Sequence, residues 1–179
     1  MDSEGVTLYV ATSVDGYIAD ADGGVGWLDE IAEDAPADEV SSYEAFFETV
    51  DCLVMGSRTY EQILGFGEWP YGDRPTYVTT GRDLPLATDQ VELVDRALAP
   101  LVDDLGERHG HVWLVGGAAL AQAFLREGLV DELRLALVPT VLGDGIGLFD
   151  GETGAHDLTL LDSSRYAAGL VEVRYAVSG

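Results

Sequence analysis

Three stretches of this chain end an apolar run in residues suited to an anion. His111 to Leu125 (HVWLVGGAALAQAFL) passes from a short apolar strand, Val112 to Val115, through Gly116-Gly117 into a helix with almost no polar residues. Asp51 to Met55 (DCLVM) reads as a buried strand, followed by Gly56-Ser57-Arg58-Thr59 and a helix near Tyr60 to Leu64. Thr76 to Thr80 (TYVTT) ends in Gly81-Arg82. The first N–H groups of a helix have no partner within it and the helix dipole is positive there, so a glycine at that point lets an anion approach the backbone. Arginine adds a planar fork of donors that suits a phosphate better than a carbonyl oxygen. One such end is an ordinary strand-to-helix turn. Three in one small α/β domain make a dinucleotide site the leading reading, because ligands of open α/β sheets bind beyond the strands' C-terminal ends. No G-x-G-x-x-G follows the first strand, and VGGAAL lacks that spacing, so the site is not a Rossmann site.

The elements that must position these residues alternate along the chain. Val6 to Thr12 (VTLYVAT) has strand composition. The Gly- and Asp-rich segment after it, SVDGYIADADGGVGW, reads as a long loop, with Asp15-Gly16 as a turn and Trp27 and Leu28 pinning its far end. A long loop inside a compact domain is usually functional. Asp38 to Val50 is amphipathic, with Val40, Tyr43, Phe46, Phe47 and Val50 on one helical face. Asp38 and Glu39 stand near that helix's start, where the dipole favours acids. Val91 to Val94 is a short strand, and Ala97 to Arg108 is a helix with Pro100 in its first turn. Leu129 to Pro139 supplies another strand, and Leu142 to Phe149 a glycine-punctuated loop. In the tail, Val171, Val173, Tyr175 and Val177 alternate with Glu172, Arg174 and Ala176, which predicts a closing antiparallel hairpin with the valine face buried. The whole of residues 1–179 reads as one domain.

Composition narrows the partners. Thirty-three acidic residues face nine arginines, with no lysine, and the formal charge is −24. Such a surface repels nucleic acid and anionic membranes. The acids are spread along the chain, which fits a protein built for molar salt, where the Debye length falls to about 3 Å. No apolar run approaches a membrane span, and no basic-then-apolar leader opens the chain, so a cytoplasmic protein is expected. Cys52 sits in an apolar run and reads as core. Trp27, Trp69 and Trp113 read as core or loop anchors, and His109, His111 and His156 lack the spacing of a metal site.

ATSVDGYIA, VMGSRTYE, YVTTGRDL, VWLVGGAALAQAFL and VPTVLGDGIGLF, in that order, carry a resemblance that spans most of the chain. As a set they resemble the dihydrofolate reductase superfamily, and more closely the stand-alone relatives of the C-terminal reductase domain of riboflavin biosynthesis. The resemblance implies an α/β fold with a central, mostly parallel eight-stranded sheet, a C-terminal antiparallel hairpin and helices on both faces. It implies an NADPH-dependent reductase acting on a small molecule, and a homodimer. Position by position, Ala11 and Ile18 would border the nicotinamide. Gly56, Ser57, Arg58 and Thr59 would hold the pyrophosphate and adenosine side, and Thr79, Thr80 and Arg82 would meet the 2′-phosphate. Val115, Gly116, Gly117, Ala118 and Leu120 would back the pyrophosphate. Asp15 matches the S-x-D-G motif whose aspartate faces the substrate in the riboflavin-type enzymes. Asp38 and Glu39, with Glu44, are the nearest match to the first-helix carboxylate that grips the pteridine in folate enzymes.

Two departures bear on the substrate. Tyr17 stands where the riboflavin-type motif carries a basic residue, and Gly26-Trp27 where folate enzymes carry proline-tryptophan. A pteridine, a ribosylaminopyrimidine and another small carbonyl or imine all stay open. The rival reading is a non-catalytic nucleotide-binding or sensor domain that keeps the cofactor cleft.

Overall fold

Alternate residues of the central strands point into two separate apolar layers, and this decides where the helices lie. The computed structural model describes residues 4–29, 37–150 and 152–178. Its strands are β1 (Gly5–Thr12), β2 (Tyr17–Ala19), β3 (Cys52–Gly56), β4 (Thr76–Thr79), β5 (Val91–Val94), β6 (His111–Gly116), β7 (Glu132–Leu137), β8 (Ile146–Gly147), β9 (Asp157–Arg165) and β10 (Val171–Ser178). Its helices are α1 (Ala37–Thr49), α2 (Ser57–Gly65), α3 (Leu98–Arg108) and α4 (Ala118–Arg126).

The eight-stranded sheet has the order β5-β4-β3-β6-β1-β7-β10-β9. β5, β4, β3, β6, β1 and β7 pair in parallel, and β10 is antiparallel to both of its neighbours. Val6, Leu8, Val54, Val112 and Leu114 meet Leu101 and Leu105 of α3 and Ala121 and Phe124 of α4 on one face. Leu53, Met55 and Trp113 meet Phe46 of α1, Val50 just after it, and Tyr60 and Ile63 of α2 on the other. Right-handed crossovers explain the split. The chain moves from β1 outward through β3, β4 and β5, with α1 and α2 on one face. It then returns through β6 to β7, with α3 and α4 on the other. Adjacent strands β3 and β6 thus send their helices to opposite sides, which opens a crevice at their C-terminal ends.

The expected sheet, closing hairpin and two helical layers are all present, and four local readings change. The loop after β1 contains β2, and the glycine loop after β7 contains β8, paired with it through Tyr17–Gly147 and Ala19–Ile146. Both strands are too short to show a period. The strand read as Leu129 to Pro139 is confined to Glu132–Leu137, because Gly128 turns the chain at φ +69 and Leu129 still bonds back to Phe124 of α4. The helix read near Tyr60 starts at Ser57. In the tail, Val171, Val173, Tyr175 and Val177, expected to be the buried face, are half-buried, and the buried residue of β10 is Glu172, at 5% exposure, because it faces Arg134 on β7 beneath α1. Trp27 and Leu28 do pack on the body, against Ala136, Val138 and Leu170. Cys52 is fully buried, and burial pushes its thiol up to about 12.

Candidate functional site

The crevice is built from two helix starts lying side by side. Met55 of β3 stands opposite Gly116 of β6, so α2 and α4 begin next to one another. Gly56 and Gly117 are their N-caps, and neither start is closed by a side-chain hydrogen bond. The first N–H groups of both helices are therefore uncapped by any side chain at their N-caps, an arrangement that can take an anion. Gly116 adopts φ +125, and the Gly116-Gly117 peptide is cis; that φ belongs to glycine. A Cβ on Gly117 would lie 3.1 Å from Thr59 Oγ1, and one on Gly56 would lie 3.9 Å from Gly117 N and from Leu120 Cβ. Thr79 stands opposite Gly56, and its hydroxyl donates to the Met55 carbonyl at 3.4 Å. Gly56, Thr59, Thr79, Gly116, Gly117 and Leu120 are thus gathered in one place, with Ser57, Val115 and Ala118 adjoining them along the chain.

The two arginines differ. Arg58 is exposed in the first turn of α2 and makes no ion pair among the described residues. Arg82 follows Thr80, whose hydroxyl accepts the Arg82 N–H at 3.0 Å. Its guanidinium is held bidentately by Glu61 of α2, at 3.2 and 2.6 Å. The hydrogen bonds from Arg82 hold the Glu61 carboxyl below its ordinary value, and the same bonds raise Arg82. The sequence reading missed Glu61, because its partner lies 21 residues away.

The loop after β1 forms the rim. Ala11 lies near the end of β1 and Ile18 in the middle of β2. Asp15 is exposed, and its carboxylate accepts from Ser13 Oγ at 2.6 Å and from the Leu142 and Gly143 N–H groups at 3.1 and 2.8 Å. The Ser13 hydroxyl first, then those amides, depress its pKa. It is an ionised clasp between two loops. Two glutamines that the sequence did not single out tie the rim to the helices. Gln62 of α2 donates to Gly23 O at 3.0 Å, and Gln122 of α4 donates to Gly147 O and Leu148 O at 3.2 and 3.1 Å. The backbone places Asp38 and Glu39 at the start of α1; their side chains lie outside the described residues.

His109 and His111 are held by packing and hydrogen bonds to hydroxyls. His111 is buried against Thr7 and Thr49, and Tyr77 meets His109 at 3.0 Å. Among the described residues, no group of three or more His, Cys, Asp or Glu is arranged to hold a metal, and no helix is long and apolar enough to cross a membrane.

A mostly parallel sheet, helices on both faces and a glycine-lined crevice at the β3/β6 ends define a dihydrofolate-reductase-like α/β domain. The chain belongs to the RibD C-terminal domain family, whose model matches residues 4–171. It is 32% identical over 170 residues to the uncharacterized protein YwjB of Bacillus subtilis, covering 94% of this chain and 95% of that one. It is 33% identical over 173 residues to the riboflavin biosynthesis protein RibD of Corynebacterium ammoniagenes, covering 86% of this chain and 47% of RibD. The chain thus corresponds to about half of that protein. A crystal structure from Shewanella sp. PV-4, described as a candidate riboflavin biosynthesis protein, superposes with a TM-score of 0.85 at 29% identity, covering 98% and 99% of the two chains.

Proposed function

We propose that this chain is an NADPH-dependent reductase of a small heterocyclic substrate, of pterin or ribosylaminopyrimidine type. The observation that carries the reading is the pair of uncapped helix starts at Gly56 and Gly117, packed so closely that a side chain on Gly117 would press on Thr59. Two adjacent sets of free N–H groups, with hydroxyls from Thr59 and Thr79 beside them, fit a pyrophosphate. When bound, the dinucleotide supplies a hydride to the acceptor carbon, and the acceptor's heteroatom takes up a proton.

The chain's own residues position and enclose. The starts of α2 and α4 hold the pyrophosphate. Arg58, exposed and without an ion pair among the described residues, meets the 2′-phosphate. Ala11 and Ile18 border the nicotinamide ring. The rim, tied to α2 by Gln62 and to α4 by Gln122, keeps water from the reacting atoms. Asp15 holds that rim in place, and Asp38 and Glu39 at the start of α1 are the acids offered to the substrate. Riboflavin biosynthesis, the setting of RibD, supports a pyrimidine-type substrate.

The test is a titration in molar KCl with NADPH and NADH, followed by tryptophan fluorescence. Cofactor oxidation is then assayed with pterin and ribosylaminopyrimidine substrates. Saturable binding and oxidation support the reductase; the absence of dinucleotide binding overturns it. The commitment of Asp15 to its clasp favours a second reading, a domain that binds the nucleotide without chemistry. Binding without oxidation of any such substrate would select it.

A further inference from the structure

Arg82 stands at the corner beyond β4, and the end-on fork of its guanidinium is already engaged. Both outer nitrogens of its guanidinium lie on Glu61, at 3.2 and 2.6 Å. The two side chains are about half exposed, 55% and 43%, so a ligand can reach the pair and exchange with it. A second carboxylate stands behind the same turn: a Cβ on Gly81 would lie 3.3 Å from Asp95 Oδ2. The corner beyond β4 and β5 therefore carries Glu61 and Asp95 against Arg82 and Arg58.

We infer that Glu61 sets the preference between the two nicotinamide dinucleotides: it occupies the end-on fork of Arg82 and offsets its charge, so that a 2′-phosphate must displace it or take the side fork against its negative charge. The inference rests on the dinucleotide reading of the cleft. An incoming 2′-phosphate exchanges one bidentate pair on Arg82 for another and meets the displaced Glu61 charge nearby, so the net gain from Arg82 is small. A dinucleotide with a free ribose diol leaves the Arg82–Glu61 pair intact. Arg58 then supplies most of the discrimination, and the preference for NADPH is narrow. Neutralising Glu61 frees the fork and removes a like charge from beside the phosphate.

The experiment measures the affinity of the intact protein for NADPH and NADH at one fixed KCl concentration, by calorimetry, for wild type, Glu61→Gln, Arg82→Gln and the double variant. Glu61→Gln is expected to tighten NADPH by about three- to tenfold and to leave NADH within about twofold. That gain is expected to vanish in the Arg82→Gln background, because the two substitutions act on one contact. Equal tightening of both nucleotides, or a gain that survives without Arg82, would overturn the inference and leave the cleft standing. So would an unchanged NADPH affinity in Glu61→Gln. Failure of the wild type to bind either nucleotide would overturn the cleft itself, and the inference with it.

Discussion

Arg134 and Glu172 form a buried ion pair across β7 and β10, Nη2 to Oε1 at 2.7 Å, with side chains 11% and 6% exposed. The rest of the Glu172 carboxylate is also used: Tyr9 donates its hydroxyl to Oε2 at 2.8 Å. Arg134 donates to Ser42 Oγ of α1 at 3.0 Å, and its guanidinium lies over the rings of Tyr9 and Phe46, at 4.7 and 5.0 Å. Burial, then the neighbouring Glu172 charge, pushes the Tyr9 phenol far above its ordinary range. The pair therefore fastens α1, whose first turn carries Asp38 and Glu39, to the sheet. Glu172→Ala strands a buried guanidinium and is expected to cost about 3–5 kcal/mol in urea unfolding. Replacing both partners, Arg134→Met with Glu172→Leu, is expected to recover most of that loss. Equal losses in the single and double variants would show that the site matters for packing and not for charge.

Gly117 tests the cradle. Its φ of −69 is open to any residue, so alanine there acts through its Cβ, 3.1 Å from Thr59 Oγ1 and beside the start of α4. Gly117→Ala is expected to weaken dinucleotide binding by about tenfold. Gly65→Ala is the control, since nothing lies within 4 Å of its Cβ position; it should leave affinity unchanged. Unaltered binding in Gly117→Ala would move the phosphates elsewhere.

The parts of the fold that could be read in advance are those with local signals. The apolar runs of β3 and β6 and the glycines after them announce the crevice, and the spacing of Phe46 and Val50 announces α1. What could not be read is pairing over long distances. β2 and β8 have three and two residues, and exist only because the two loops meet. Glu61 looks like a solvated acid until Arg82 is folded onto it. Alternation in β10 marks one apolar face but cannot show that α1 covers the opposite face at Glu172 more completely than anything covers the valines. The turn motif marks Asp15, but its three hydrogen-bond partners include two amides more than 120 residues away.

Asp15→Asn tests the clasp. An amide cannot accept from Ser13 and from both backbone N–H groups while its NH₂ points at donors. Amide exchange at Leu142 and Gly143 is expected to quicken, turnover to fall, and dinucleotide affinity to stay within about twofold. The sign with pH follows from the depressed pKa. The clasp's contribution is complete above the ordinary carboxylate value and is lost as pH falls through the lower folded value. Unchanged exchange at both amides would remove the clasp from the account.

His111 gives a second pH dependence. The Thr49 hydroxyl donates to Phe46 O at 2.7 Å, so it accepts from Nδ1, as does the Thr49 carbonyl at 3.1 Å; Nε2 then accepts from the Thr7 hydroxyl at 2.8 Å. This is a neutral imidazole with its proton on Nδ1. Burial lowers its pKa, outweighing the Thr49 carbonyl and the Glu132 and Asp51 charges, which raise it. The unfolded chain therefore binds the extra proton first. The contribution is fully present above about pH 6.5, the ordinary histidine value, and fades as pH falls toward the lower folded one. Between pH 7 and 5 the wild type should lose stability relative to His111→Gln. Parallel pH profiles for the two proteins would contradict this assignment.

Salt should stabilise this protein. Thirty-three acids and nine arginines give a charge of −24. Five of the arginines, Arg82, Arg96, Arg108, Arg134 and Arg174, are each held by a carboxylate. At 0.1 M salt the Debye length is about 10 Å, so neighbouring unpaired carboxylates still repel; near 1 M it is about 3 Å and they do not. Salt also weakens the exposed pairs, Arg82–Glu61 and the Arg96–Asp104–Arg108 cluster, but exposed pairs contribute at most about 1 kcal/mol each. Relief of repulsion across the whole surface outweighs that loss. The melting temperature is expected to rise by roughly 5–10 °C between 0.1 and 2 M KCl. Sucrose at matched osmolality should give a smaller rise, since it leaves charges unscreened. A melting temperature that is flat in KCl, or that rises equally in sucrose, would show that the acidic surface costs the fold nothing.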